Sequence, residues 1–204
     1  MRPLLSIIEQ PIRNHRKWDF LIFTGITVAS ILQGQSTVFY VLYFFWWNEL
    51  IRIVVDRFSY KKNPNAQVEI TDSIGSSLFM LGIYWVFLVL FFGLIANWDD
   101  RELSLVNLRI LLFQNWFFNA NLIFVVLERL YLHLREQPLR ISFGGFTPNM
   151  ILLHISIILG GILMFFVVRN FPDIFTPDNR WGSLLIISPF LLIRLGMDWF
   201  YGKS

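Results

Sequence analysis

Long apolar runs, interrupted at nearly regular intervals by short polar links, dominate the pattern of this chain. A helix that crosses a bilayer needs roughly 20 mainly apolar residues. Six runs approach that length: 18–34, 37–56, 74–96, 107–129, 149–169 and 182–200. The link Gln33-Gly34-Gln35-Ser36 leaves room only for an antiparallel turn, so the first two spans form a hairpin. Asn97-Trp98-Asp99-Asp100-Arg101-Glu102 joins the third span to the fourth, and Phe171-Pro172-Asp173, with Pro177 and Gly182, joins the fifth to the sixth. The predicted fold class is therefore all-α, a polytopic membrane helical bundle. Its six transmembrane helices fall into three hairpins, about 18–60, 74–133 and 149–204, within one transmembrane domain, 18–204.

The hairpins also repeat as sequence. Leu50-Ile51-Arg52-Ile53-Val54-Val55-Asp56-Arg57, Leu122-Ile123-Phe124-Val125-Val126-Leu127-Glu128-Arg129 and Leu192-Ile193-Arg194-Leu195-Gly196-Met197-Asp198-Trp199 end successive even-numbered spans at offsets of 72 and 70 residues. Each ends in an acid beside a basic or aromatic residue.

Composition narrows the class. Charged residues are 15% of the chain and hydrophobic ones 55%, whereas a soluble domain carries about 25% charged residues; that deficit calls for a lipid bilayer as the solvent. The chain has no cysteine, which excludes disulfides and thiolate chemistry. Its net charge of +3 comes from basic residues that flank the spans and do not form a patch, so nucleic acid is not an expected partner. Eleven of these, including Arg13, Lys17, Arg57, Lys62 and Arg140, fall on one side of the predicted membrane. Four, Arg101, Arg109, Arg169 and Arg180, fall on the other. The positive-inside bias then puts both termini in the cytoplasm. Residues 1–17 alternate apolar and charged positions, with Glu9 and Pro11 breaking any signal-peptide core, and read as a cytoplasmic segment lying on the membrane surface.

Polar groups in hydrocarbon are costly, and each needs a partner or water. Glu49, Arg52 and Asp56 stand three and four apart on the second span, so they share one helix face. Arg194 and Asp198 repeat part of that spacing on the sixth, and Arg52 and Arg194 are both able to snorkel to the interface. The fourth span contributes Asn115, Asn119 and Asn121, and Asn121 occupies the repeat position of Glu49. His154 enters from the cytoplasmic end of the fifth span, at the depth of the acids. The candidate polar cluster is thus Glu49, Arg52, Asp56, Asn119, Asn121, His154, Arg194 and Asp198, with Glu49 the deepest acid. His15 and His133 are expected at the membrane edge, apart from it. Acids at helix ends and a histidine on an apolar helix serve equally as anchors or packing groups, and both readings stay open. No catalytic motif, cofactor site or metal site is expected: the chain lacks a phosphate-binding loop, a nucleophile elbow and metal-ligand spacing. Gly160 and Gly161 invite close helix approach, and Ser188-Pro189 predicts a kink.

Two stretches carry a resemblance. Tyr43-Phe44-Phe45-Trp46-Trp47-Asn48-Glu49, and Leu152-Leu153-His154-Ile155-Ser156-Ile157-Ile158-Leu159-Gly160-Gly161 followed by a last span ending in Asp198, resemble a domain-of-unknown-function family of small six-span bacterial integral membrane proteins. The resemblance implies the bacterial inner membrane and marks Glu49, His154 and Asp198 for testing. Where that family tends to have His-Tyr, this chain has Asn119-Ala120-Asn121. Three functional classes follow. One is a non-enzymatic scaffold or accessory subunit, with a homo-oligomer or another membrane protein as partner. The others are a small-solute or ion pathway and an intramembrane enzyme. The first is favoured, because loops are short and catalytic motifs are absent from the sequence.

Overall fold

The computed structural model describes residues 15–59, 67–70, 74–97, 100–135, 140–143, 147–171, 173–175 and 179–201. Most of residues 1–17, read above as a surface segment, therefore lies outside the described residues; from His15 onward the chain is already helical.

Helix α1, His15–Leu32, turns through Gly34, whose φ of 68° is a left-handed conformation that glycine adopts without strain, into α2, Val38–Ser59. Strand β1, Gln67–Ile70, precedes α3, Ile74–Phe87, which continues as a π-helical segment, Leu88–Leu94. A short helix α4, Arg101–Leu111, is followed by α5, Trp116–Arg135, and strand β2, Arg140–Phe143. Helix α6, Pro148–Leu163, again ends in π geometry, Met164–Val168, and α7 runs from Arg180 to Tyr201. Five segments are long and apolar enough to cross a membrane: Val38–Ser59, Ile74–Leu94, Arg101–Leu134, Pro148–Val168 and Arg180–Met197. The chain is thus a multi-pass helical protein. The first run is shorter, Phe20–Leu32.

Helix α2 is the hub. Its residues from Val38 to Trp46 are buried without a break, and it packs against α3, α5, α6 and α7, of which α5 and α7 also touch α1. Aromatic rings fill the centre: Tyr43 stacks on both Phe39 and Phe118, and Phe23 on Phe44, with centroids 4.4–5.4 Å apart. Such stacked pairs add about 0.5–1.5 kcal/mol beyond the area they bury. Trp46 donates its indole N–H to the carbonyl of Leu81 at 2.7 Å, pinning α3 to α2. Gly160 lies so close to Leu42 and Phe92 that an added Cβ would approach them to 3.0 Å, whereas Gly161 faces open space. Close approach therefore belongs to one of the two glycines.

Two features depart from the sequence reading. The fourth run is not one continuous span over 107–129. The chain breaks at 112–115, where Phe113 takes a φ of 57°, unusual for a residue with a side chain. Asn115 then caps α5 by accepting the N–H of Phe118. Second, the all-α bundle carries a parallel two-stranded ribbon, Gln67 pairing with Arg140 through Ile70 with Phe143. Pro189, where a kink is expected, lies inside α7, which continues through it. The carbonyl of Leu185, four residues back and deprived of its usual donor, accepts the hydroxyl of Ser188 at 3.0 Å.

Candidate functional site

The charged residues of α2 gather in its second half, between Glu49 and Asp56. Glu49 and Asp56 are both fully buried at 0% exposure, and one guanidinium, that of Arg52, lies between them. Arg52 grips Glu49 with two bonds, Nε to Oε2 at 2.8 Å and Nη2 to Oε1 at 2.6 Å, and reaches Asp56 Oδ2 from Nη1 at 3.3 Å. The fork of the guanidinium matches the carboxylate, which makes this kind of contact stronger and more directional than a neutral hydrogen bond.

The same two acids tie α2 to its neighbours. Asp56 accepts Nε of Arg129 at 2.6 Å and Nη2 at 2.7 Å, and it also takes the Nε2–H of His133 at 2.9 Å. Both partners come from the last turns of α5. Glu49 Oε1 accepts the hydroxyl of Thr147 at 2.7 Å, and Thr147 Oγ1 in turn caps α6 by accepting the N–H of Met150. Two carboxylates and two guanidinium groups balance in charge, and every carboxylate oxygen has a donor. A buried ion pair costs desolvation that only good geometry and full satisfaction repay. Here the contacts are short and both carboxylates are fully satisfied.

The other predicted residues separate from it. Asn121 donates to the hydroxyl of Tyr40 at 2.8 Å, inside the aromatic core. Asn119 donates to the carbonyl of Phe113 and so braces the turn before α5. Arg194 is buried and does not snorkel: its guanidinium lies 4.1 Å from the ring centre of Phe23, a cation–π contact near Phe44 and Phe45 as well. His154 faces outward on α6 and pairs with Tyr84 of α3 at 2.9 Å. Asp198 lies on α7, and its side chain is outside the described residues. His133, expected apart from the cluster, belongs to it because the end of α5 folds against the end of α2.

Sequence reasoning also missed Arg129 and Thr147. Arg129 sits one repeat after Arg57 and beside Glu128, and that local neighbour hid its long-range partner. Thr147-Pro148 is a legible helix start, a capping hydroxyl followed by proline at the first helical position, but nothing local to it points to Glu49.

The start of α2 has its own ties. Asn107 of α4 accepts the hydroxyl of Thr37 at 2.7 Å and donates to the carbonyl of Phe92 in the π segment. Asn115 donates to the carbonyl of Gln35. A cleft lined by Ser36, Thr37, Phe92, Phe175 and Ser183 opens there, with a volume of about 30 Å³, room for about two water molecules. Among the described residues, no three His, Asp or Glu side chains converge on a common point as metal ligands. Comparison with protein-family models, with curated proteins and with solved structures finds no match. The resemblance to the six-span bacterial family rests on its residues.

Proposed function

We propose that this chain is a six-pass protein of the bacterial inner membrane, with both termini cytoplasmic, acting as a non-enzymatic scaffold or accessory subunit of a larger membrane assembly. One observation carries the reading. The deepest acid, Glu49, on which a pathway or an acid–base site would be built, is closed off by Arg52 and Thr147 of its own bundle. An acid in a conducting path needs a hydrated face, and a general acid or base must reach a substrate. Glu49, with no exposed surface, serves as a lock between α2 and α6. The outward helix faces are rich in large apolar groups, among them Phe79, Trp85, Phe166 and Leu192, which suit lipid and neighbouring helices.

The test is purification in native lipid nanodiscs with native mass spectrometry. The expected result is a reproducible protein partner or homo-oligomer, unchanged in Glu49→Gln. A monomer carrying a stoichiometric small molecule or ion that disappears in Glu49→Gln overturns the reading in favour of a pathway or enzyme.

A further inference from the structure

The cleft at the start of α2 gathers features that neither the ion network nor the aromatic core uses. Both π-helical segments reach it, through Phe92 of the first and Met164 and Val168 of the second. π geometry inside an α-helix is found frequently at functional sites. The volume of about 30 Å³ admits about two water molecules, so only a very small ligand fits.

The start of α2 supplies the polar groups. The first N–H groups of a helix have no partner inside it. Thr37 caps one of them, accepting the N–H of Tyr40 at 3.2 Å, and gives its own proton to Asn107 at 2.7 Å. The N–H groups of Val38 and Phe39 have no acceptor among the described residues, although both residues are buried and line the cleft. Ser36 lines it too. That residue is 4% exposed, and its buried hydroxyl has no hydrogen-bond partner among the described residues. Donors left in this state are costly, so such a group asks for a ligand. Helix α7 contributes less: Asn179 takes the N–H groups of Gly182 and Ser183, which leaves α7 the hydroxyl of Ser183 on the cleft wall.

Charge selects the ligand. No acidic side chain is among the described residues that line the cleft, so a cation finds no carboxylate to neutralise it. Helix α2 has 22 residues, and the dipole of such a helix places about half a positive charge at its N-terminus. Backbone N–H groups at that end favour an anion. We propose that the cleft binds a small monovalent anion, a halide such as chloride, held by the N–H groups of Val38 and Phe39 and the hydroxyl of Ser36. The site is independent of Glu49, which lies in the second half of α2, so the ion is retained in Glu49→Gln.

The experiment titrates the full chain in phosphatidylcholine nanodiscs with sodium chloride, replacing sodium gluconate at constant ionic strength. Binding is read by the line width of chloride NMR in excess of empty nanodiscs, and by the melting temperature. Saturable broadening and a rise in melting temperature with chloride are expected. The apparent Kd should weaken about tenfold or more in Ser36→Ala, which removes one donor to the charge. Val38→Pro deletes one N–H with a residue suited to the first helical position, and it should act in the same direction. Without a bound anion, Ser36→Ala only removes an unsatisfied hydroxyl, so stability stays equal or rises in both salts. That result overturns the proposal, as does broadening no greater than that of empty nanodiscs, which leaves the cleft to water only. A chloride effect that survives both variants places the anion elsewhere and overturns it too, and an effect that follows exchange of sodium for potassium assigns the cleft to a cation. Each of these outcomes leaves the scaffold reading to its own test, the partner seen by native mass spectrometry.

Discussion

Asp56 holds together three side chains from two helices, and its removal has consequences that a surface acid would not have. In Asp56→Asn, Arg129 and Arg52, largely withdrawn from solvent, are left with half of their compensating charge gone. Breaking a buried pair from one side costs about 3–5 kcal/mol. We expect a loss of that size in reversible unfolding in bicelles, and we expect Arg129→Met on top of Asp56→Leu to recover part of it. Thr147 should follow a different rule, because its hydroxyl serves both a cap and Glu49. Thr147→Val should cost about 2–4 kcal/mol, the sum of a lost cap and a lost bond to a charged group, while Thr147→Ser should stay within about 0.5 kcal/mol. A Thr147→Val cost that is unchanged in a Glu49→Gln background would mean that the two groups are not coupled. At this scale the sequence was partly legible. Glu49 and Arg52 are neighbours by helical spacing alone, which is why their bond could be anticipated. Arg129 and His133 reach Asp56 across 73 and 77 residues, a juxtaposition that spacing on one helix does not contain.

Helices here are continuous or broken according to whether side chains replace missing backbone partners. Helix α7 passes through Pro189 because Ser188 supplies the donor that the proline lacks. Ser188→Ala should therefore cost about 1 kcal/mol in the native chain. In a Pro189→Ala background, where residue 189 again donates to Leu185, the same change should cost nothing measurable. Additive effects of the two substitutions in unfolding experiments would refute this account. Gly160 and Gly161 give the packing counterpart: Gly160→Val should cost about 1–3 kcal/mol through overpacking against Leu42 and Phe92, and Gly161→Ala should be neutral within about 0.5 kcal/mol. Sequence placed most apolar runs well, since length and hydropathy are local properties. It failed at 112–115 because the break lies inside an apolar run, and Asn115, in fact a cap, has the same letter as an intramembrane polar residue. The π segments Leu88–Leu94 and Met164–Val168 carry no proline or glycine pattern that distinguishes them from α-helix.

The ribbon joins the segments that follow two of the helix endings. Strand β1 follows α2 and strand β2 follows α5, and they pair in parallel at an offset of 73 residues, close to the 72-residue offset of the helix endings. Parallel pairing sets the two strands in the same sense, Gln67 beside Arg140 and Ile70 beside Phe143. Asp56, before the first strand, meets Arg129, before the second. This arrangement makes the number of crossings depend on α1. Its apolar stretch, Phe20–Leu32, is short, yet the whole helix has 18 residues and so spans about 27 Å, nearly the thickness of the core. Its inner face is anchored by Phe23, against which Arg194 of α7 is stacked. We expect α1 to cross. The absence of cysteine makes the test direct, since each engineered thiol is the sole target for a membrane-impermeant maleimide. Gln35→Cys, Arg101→Cys and Arg180→Cys should label from one side of oriented vesicles, and Leu134→Cys and Arg16→Cys from the other. If Arg16→Cys labels with Gln35→Cys, α1 lies along the membrane surface and the chain crosses five times. Its contact with α7 would then have to be made at the interface, where Arg194 could reach water and would no longer need the ring of Phe23; Phe23→Leu would in that case leave stability unchanged, whereas a crossing α1 should lose about 1–2 kcal/mol.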